Sequence, residues 1–432
     1  MSGKRIHMVW FSGHGVGPAG WDHPGWPDGY RWDRPEVYVD SAKTLERAGF
    51  DAIIFADTMA IPDDYQGRMD AYLENAIAMP KLDPAVLTPM IAAETSSIGL
   101  ISTLTTTFYP PYLMARLTAT LDHVAGGRSG WNVVTAFTQR AAQSFGMDRL
   151  PEHDTRYDMA DEYLEICRRL WATWDADALV MDRASGRFAD PAKVRPMEFE
   201  GRHYRAAGTL NVVPSPQHRP FLVQAGSSGR GVRFAGTHAD LVIATQQTPA
   251  AMRAFRDDVR ARAAEAGRDP DSVKVIFIVS PLFGLTEDAV AERRRAQNPR
   301  RLLEVGLAQL SVGLGYDLSL EDVDAPIDVE RVPAAERLRQ PDGTMPLLRE
   351  AAERTGSWAS LPMTGTPEQI ATRIEEVVEE SDCDGFAIRG RWIPQFVEEV
   401  SGGLMSVLRA RGRVLPPTPG RTLRERMAMP VT

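Results

Sequence analysis

The feature that most constrains this chain is a repeated alternation of short apolar runs with longer stretches of helical periodicity. Ile6 to Phe11, Ala52 to Ala56, Ile98 to Thr103, Ser129 to Thr135, Phe221 to Ala225, Leu241 to Ala244, Val273 to Val279 and Gly385 to Ile388 read as strands. Most are nearly continuous in apolar residues, the pattern of strands covered on both faces. Between them, Val37 to Ala48, Pro84 to Glu94, Pro111 to Val124, Tyr157 to Trp174, a stretch from Gly229, Pro249 to Ala266, Thr366 to Glu380 and Pro394 to Arg411 read as helices. One has full punctuation: Thr366 fits an N-cap, Pro367 the first helical position and Gln369 a capping box. Strand–helix alternation predicts a parallel sheet with helices outside. Eight strand candidates predict closure, so the expected fold is α/β, a TIM (β/α)8 barrel with long insertions.

Two stretches interrupt the pattern. Residues 175–220 carry turn formers and short extended pieces, and residues 310–346 are rich in Asp, Pro and Gly. Connections of such length are commonly lids or binding loops. No linker or repeat divides the 432 residues, so 1–432 reads as a single barrel domain. A net charge of −9 argues against nucleic-acid and anionic-membrane partners. Arg293–Arg295 with Arg300 and Arg301 reads as a solvated helix face, and the basic tail Arg421 to Arg426 as either solvated or embracing a neighbour. The two cysteines, Cys167 and Cys383, form neither a disulfide framework nor a zinc pattern; Cys167 shares a helix face with Ala160, Tyr163, Leu164 and Trp171, a core position. No signal-type apolar region follows the N-terminus and no apolar run is long enough to span a bilayer, which leads to the expectation of a soluble, cytoplasmic protein.

Several motifs carry chemistry. Gly226-Ser227-Ser228-Gly229 follows a strand and opens a helix, where free backbone N–H groups and two hydroxyls make a phosphate cradle or simple N-cap chemistry. It has neither the lysine of a Walker loop nor the spacing of a nucleophile elbow, and no Gly-x-Gly-x-x-Gly follows a strand. His153-Asp154-Thr155-Arg156-Tyr157 stands just before a helix. His153 and Asp154 lack a third metal ligand nearby, so a capping or hydrogen-bonding role is the competing reading and no metal is predicted. Asp57 and Thr103 end the second and third strands, which in a barrel places them at the C-terminal mouth; Asp57 serves equally well as a helix cap. His14 and His23 lie with Trp21, Trp26 and Tyr30 in the first loop, a pocket wall or an ordered surface cover.

The run Gly127-Arg128-Ser129-Gly130-Trp131-Asn132-Val133-Val134-Thr135 sets an amide inside a buried strand. Such an amide needs a partner, and a flavin ring edge with alternating donors and acceptors is one. This run resembles the signature of the flavin-dependent monooxygenases of the bacterial-luciferase superfamily, nearest to the nitrilotriacetate, EDTA and dibenzothiophene-sulfone group. Pro111-Tyr112, Leu121-Asp122-His123, the tyrosine-led helix from Tyr157, Pro214-Ser215-Pro216-Gln217, Gln224-Ala225-Gly226-Ser227, Gly365-Thr366-Pro367-Glu368 and Gly420-Arg421-Thr422-Leu423-Arg424-Glu425 resemble that group in the same order.

The resemblance implies reduced FMN supplied by a separate NAD(P)H-dependent flavin reductase, with O2 and a small organic substrate as co-reactants. It implies oxygenation with C–S or C–N cleavage, in a homodimer or homotetramer. Asp57, Thr103, Asn132 and Thr135 are then expected along the flavin ring and ribityl chain; His153, Tyr157, Ser227 and Ser228 are expected at the phosphate end. His23 and His153 are the candidates for proton transfer, since an imidazole titrates near neutrality. Closing insertions would keep the site dry. The sequence departs from the group at Ala136 and His218, and all eight histidines precede residue 239, so relatives with a late histidine are poor guides to substrate. Alternative readings are a deazaflavin-dependent oxidoreductase on the same barrel, a non-catalytic flavin-binding barrel, and an unrelated barrel lyase or isomerase.

Overall fold

The computed structural model describes residues 4–13, 21, 22, 26, 29, 31–296, 299–340, 342–356, 361 and 363–430. Eight parallel strands close into a barrel: β1 (His7–Ser12), β2 (Ala52–Phe55), β3 (Gly99–Thr105), β4 (Ser129–Val134), β5 (Phe221–Gln224), β6 (Leu241–Ala244), β7 (Lys274–Val279) and β8 (Gly385–Gly390). Neighbours follow chain order and β8 returns to β1, with Trp10 beside Ile388 and Phe11 beside Arg389.

The period-2 alternation of a strand decides what faces inward. Val9, Phe11, Ile54, Ile101, Val223, Ile243, Ile276, Ile278 and Ala387 fill the interior. The intervening residues, such as Trp10, Phe55, Phe277 and Phe386, pack outward against the helices. Those helices are α1 (Pro35–Ala48), α2 (Pro84–Ala92), α3 (Pro111–Val124), α4 (His153–Trp171), α5 (Gly229–His238), α6 (Pro249–Glu265), α7 (Pro367–Ser381) and α8, the run Pro394–Glu399, Val400–Leu404 (a π turn) and Met405–Ala410. The punctuation of α7 is as the sequence indicates, with the Thr366 N–H donating to Gln369 Oε1 at 2.9 Å. Among the described residues no helix is long and apolar enough to cross a membrane.

Four expectations are corrected. First, α4 begins at His153, four residues before Tyr157. Its opening turn is exposed, so apolar periodicity starts only at the first buried residue, Tyr157.

Second, residues 175–220 are not a lid. They join the C-terminus of α4 to the start of β5, both at the bottom of the barrel. They fold as two antiparallel hairpins, Leu179–Asp182 with Arg187–Ala189 and Met197–Glu200 with Arg205–Gly208. The second hairpin packs on α4, where the Glu162 carboxylate accepts from the backbone N–H groups of Arg202, His203 and Tyr204 at 2.8–3.1 Å. The stretch 310–346 belongs instead to the connection between β7 and α7, at the C-terminal mouth. It packs with helices Pro299–Leu314 and Leu348–Gly356 against Tyr65, Tyr72 and Ile77 of the connection after β2.

Third, the basic tail is only partly solvated: Arg421 is exposed, but the rest turns back onto the barrel. The helix Leu423–Ala428 closes the bottom of the barrel, with Leu423 and Met427 inside the interior cluster. Gly99 and Gly130 make room for Leu423: a Cβ at Gly99 would stand 2.5 Å from its Cδ1. Arg426 is 1% exposed and pairs through Nε with Asp51 at 2.9 Å. Arg5 reaches the same carboxylate at 2.6 Å. Burial raises the Asp51 carboxyl, but Arg5, the His7 ring and Arg426 together outweigh it and hold the group well below the usual carboxylate range.

Fourth, the arginine run is only partly a solvated face. Arg293 pairs with Glu399 at 2.7 Å and donates to the Phe283 carbonyl, and Arg301 pairs with Asp22 at 2.8 Å.

Candidate active site

In a barrel of this kind the mouth at the C-terminal ends of the strands is built by the connections that follow each strand. Asn132 sits in β4 beside Thr103 of β3 on one side and Val223 of β5 on the other. Its side chain is 3% exposed, and Nδ2 donates to Thr103 Oγ1 at 2.9 Å. The amide oxygen Oδ1 is buried with no hydrogen-bond partner among the described residues. A buried acceptor left so is costly, and its geometry is that of an amide waiting for a donor from a bound molecule. Thr135, one residue past β4, accepts through its carbonyl from the Thr107 hydroxyl at 2.8 Å.

The turn after β5 lies on the neighbouring strand at the same end. Ser228 is the N-cap of α5, with its hydroxyl accepting from the Gly231 N–H at 3.0 Å. The first turn of α4 arrives beside it: His153 Nε2 lies 3.2 Å from Ser228 Oγ, while Nδ1 lies 2.6 Å from the Asp154 carboxylate. The buried Tyr157 hydroxyl accepts from Gln224 Nε2 at 3.3 Å, and burial raises its pKa. Gly226 and Gly231 let the turn pack closely on this wall, since a Cβ at Gly226 would meet Gln224 Nε2 at 2.3 Å and Tyr157 Oη at 2.7 Å. Ser227 is exposed on the rim. The Arg230 guanidinium lies over the Tyr157 ring, 5.6 Å from its centre, and is paired with Asp158 at 2.9 Å and with Asp161. Two helix N-termini, hydroxyls and an imidazole therefore meet at this turn, a donor set suited to a phosphate ester. Asn132, whose amide oxygen has no hydrogen-bond partner among the described residues, lies on the adjacent strand.

Asp57 stands just past β2. Burial raises its carboxyl to about 6, against the pull of Lys81 and of the Thr58 N–H, which donates at 2.8 Å. Lys81 donates to the Ala56 carbonyl, and burial lowers its pKa to about 8, with Asp57 opposing. With Ser12, Phe55, Tyr38, Trp26 and Trp392, Lys81 lines a small cleft between the barrel and α1. The structure thus brings Thr103, Asn132 and Thr135 together on β3 and β4, and His153, Tyr157 and Ser228 together around α5. It sets Asp57 on the far side of β3, with Lys81. His14 and His23 lie outside the described residues. Sequence reasoning missed Gln224 and Lys81. Gln224 is a polar residue ending an apolar strand, a signal that was available.

The Luciferase-like monooxygenase family matches residues 12–383 of this chain. The chain is 37% identical over 419 residues to dibenzothiophene-sulfone monooxygenase of Rhodococcus erythropolis, covering 92% of this chain and 90% of that protein. It is 33% identical to nitrilotriacetate monooxygenase component A of Aminobacter aminovorans, covering 96% and 94% of the two chains. The crystal structure of riboflavin lyase with modified FMN and riboflavin superposes with a TM-score of 0.87 at 31% identity, covering 98% and 96%. A parallel barrel of eight strands, a cluster of polar side chains at the C-terminal ends of β4 and β5 and kinship along nearly the whole chain lead to one conclusion: this protein belongs to the luciferase-like family of flavin-dependent monooxygenases.

Proposed function

We propose that this protein is the oxygenase component of a two-component system, using reduced FMN from a separate NAD(P)H-dependent reductase and O2 to oxygenate a small organic substrate with C–S or C–N cleavage. The observation that carries the reading is the buried Oδ1 of Asn132, without a partner among the described residues, one strand away from the turn of Gly226, Ser228 and Tyr157. Reduced FMN, when bound, supplies the two electrons by which one atom of O2 enters the substrate and the other leaves as water.

The protein's residues bind and orient. Asn132 accepts from the ring edge through Oδ1, held by its bond to Thr103. Thr135 lines the same strand end. Ser228, Ser227, the Tyr157 hydroxyl, the His153 imidazole and the N–H groups opening α5 hold the phosphate. Asp57, already biased towards its protonated form by burial, stands beyond Thr103 as an orienting group. His23 remains a candidate for proton transfer. The connection between β7 and α7 lies at the mouth and excludes water from it. The relative named component A supports a partner reductase, and the FMN-bearing structural neighbour supports FMN as the flavin. A homodimer or homotetramer is the assembly proposed by kinship.

The test is a reductase-coupled assay with FMN, NADH and a panel of sulfur, nitrogen and aromatic substrates, read by mass spectrometry in 18O2. Incorporation of one 18O atom per product is expected; substrate turnover without label in any product rejects the oxygenase assignment.

A further inference from the structure

We propose that Asp161 is a positioning residue for the phosphate site: through Arg230 and His238 it clamps α4 against α5 and so fixes where the Tyr157 hydroxyl and the His153 ring stand. This inference rests on the flavin site proposed above, because it takes the turn after β5 as the holder of the FMN phosphate.

Spacing sets the arrangement. His153, Tyr157 and Asp161 recur at every fourth residue of α4, and Arg230, Phe234 and His238 do the same in α5. Each trio therefore lies along one stripe of its helix. The two helices start side by side, with His153 Nε2 3.2 Å from Ser228 Oγ. From there the stripes mesh. The His153 and Tyr157 rings meet edge-on with their centres 5.2 Å apart, Tyr157 meets Phe234 at 5.4 Å, and Phe234 meets His238 at 4.6 Å. The Arg230 guanidinium stands over the Tyr157 ring. Asp161 closes the circuit. One of its carboxylate oxygens lies 2.7 Å from His238 Nε2, and the other accepts from Arg230.

What the circuit holds is the wall of the phosphate site. Tyr157 Oη stands so close to the turn after β5 that a Cβ at Gly226 would lie 2.7 Å from it and one at Gly231 2.9 Å. In packing this tight, a small displacement of the Tyr157 ring changes the room left for a phosphate oxygen. Arg230 and Phe234 hold that ring from α5, and Asp161 fixes the first directly and the second through His238. Burial raises the Asp161 carboxyl, but the bonds from His238 and Arg230 outweigh it and hold the group below the usual carboxylate range. A charged pair of this kind orients a planar guanidinium more firmly than a neutral bond does. His238 Nδ1 is buried with no hydrogen-bond partner among the described residues, so Asp161 supplies the hydrogen bond that orients this ring. Without the carboxylate, Arg230 keeps only its pair with the exposed Asp158.

The test compares FMN with riboflavin, which lacks the phosphate, by fluorescence titration of the full chain. The unaltered protein should prefer FMN. D161A should lower FMN affinity about ten-fold and leave riboflavin affinity within about two-fold, so that the preference shrinks. R230A should do the same, and the double variant D161A/R230A should lose clearly less than the product of the two single losses, because the two residues act as one unit. Equal losses for the two flavins in D161A overturn the proposal, since a merely structural residue would disturb both. Loss in R230A with none in D161A also overturns it and gives the guanidinium a direct contact with the phosphate. So does a double variant whose loss is the full product. If D161A fails to fold, D161N, which keeps the shape of the side chain, decides by the same comparison. An unaltered protein that binds FMN no more tightly than riboflavin sinks the phosphate reading together with this one, whereas a preference for FMN that D161A leaves intact sinks this one alone.

Discussion

Asn132 Nδ2 donates to Thr103 Oγ1 at 2.9 Å across a pair of directly opposed strand residues, and the amide oxygen is left buried without a partner among the described residues. The bond fixes the orientation of the amide before any ligand arrives. A group so preorganised loses little conformational freedom on binding.

Asn132→Ala should therefore weaken FMN binding by about 1–3 kcal/mol, since both the ring donor and the Thr103 hydroxyl lose their partner. Fluorescence titration of FMN measures it. An unchanged affinity would remove Asn132 from the flavin site.

Gly226→Ala is expected to close the cradle. The added Cβ would meet Tyr157 Oη and Gln224 Nε2, both part of a packed wall. FMN affinity should fall by at least ~10-fold, with riboflavin, which has no phosphate, affected less. Equal losses for the two flavins would mean that the turn does not hold the phosphate.

At the opposite end of the barrel, Arg426→Ala leaves the buried Asp51 short of one of its two arginines. Breaking a buried ion pair in this way costs about 3–5 kcal/mol. Urea unfolding should show this loss, while FMN affinity of the folded variant stays unchanged. The Asp51 carboxyl is depressed in the folded state. Its contribution is present above the ordinary carboxylate value and is lost as pH falls below it, so wild-type and variant stabilities should converge in acid.

Asp57 has the reverse sign. Its folded value of about 6 lies above the ordinary 3.8. The folded protein binds this proton more tightly than the unfolded chain, so the contribution is full below 3.8 and is lost as pH rises through about 6. Asp57→Asn removes that dependence. The melting temperature of the variant relative to wild type should rise between pH 4 and pH 7; a flat difference in calorimetry would show that Asp57 does not titrate in this window.

Much of the fold was legible because it is written in local pattern. Apolar runs and helical periodicity report burial on a strand or helix face, and they located all eight barrel strands to within a residue or two. The capping of α7 was equally local. The cradle was legible for the same reason, since a strand, a Gly-Ser-Ser-Gly turn and a helix are contiguous. The start of α4 was not, because an exposed first turn has no apolar period.

The sequence by itself determined that β-strands and helices would alternate, that one strand would bury an amide, and that a serine-bearing turn would open a helix. Only the tertiary structure decided that the Asn132 amide oxygen would lack a partner among the described residues, that residues 175–220 would lie at the bottom rather than over the mouth, that Arg426 would plug rather than protrude, and that Arg389 would stand beside Phe11. The reason is closure. Joining β8 to β1 and fixing the register of each pair brings together residues far apart in the chain, and no local periodicity carries that information.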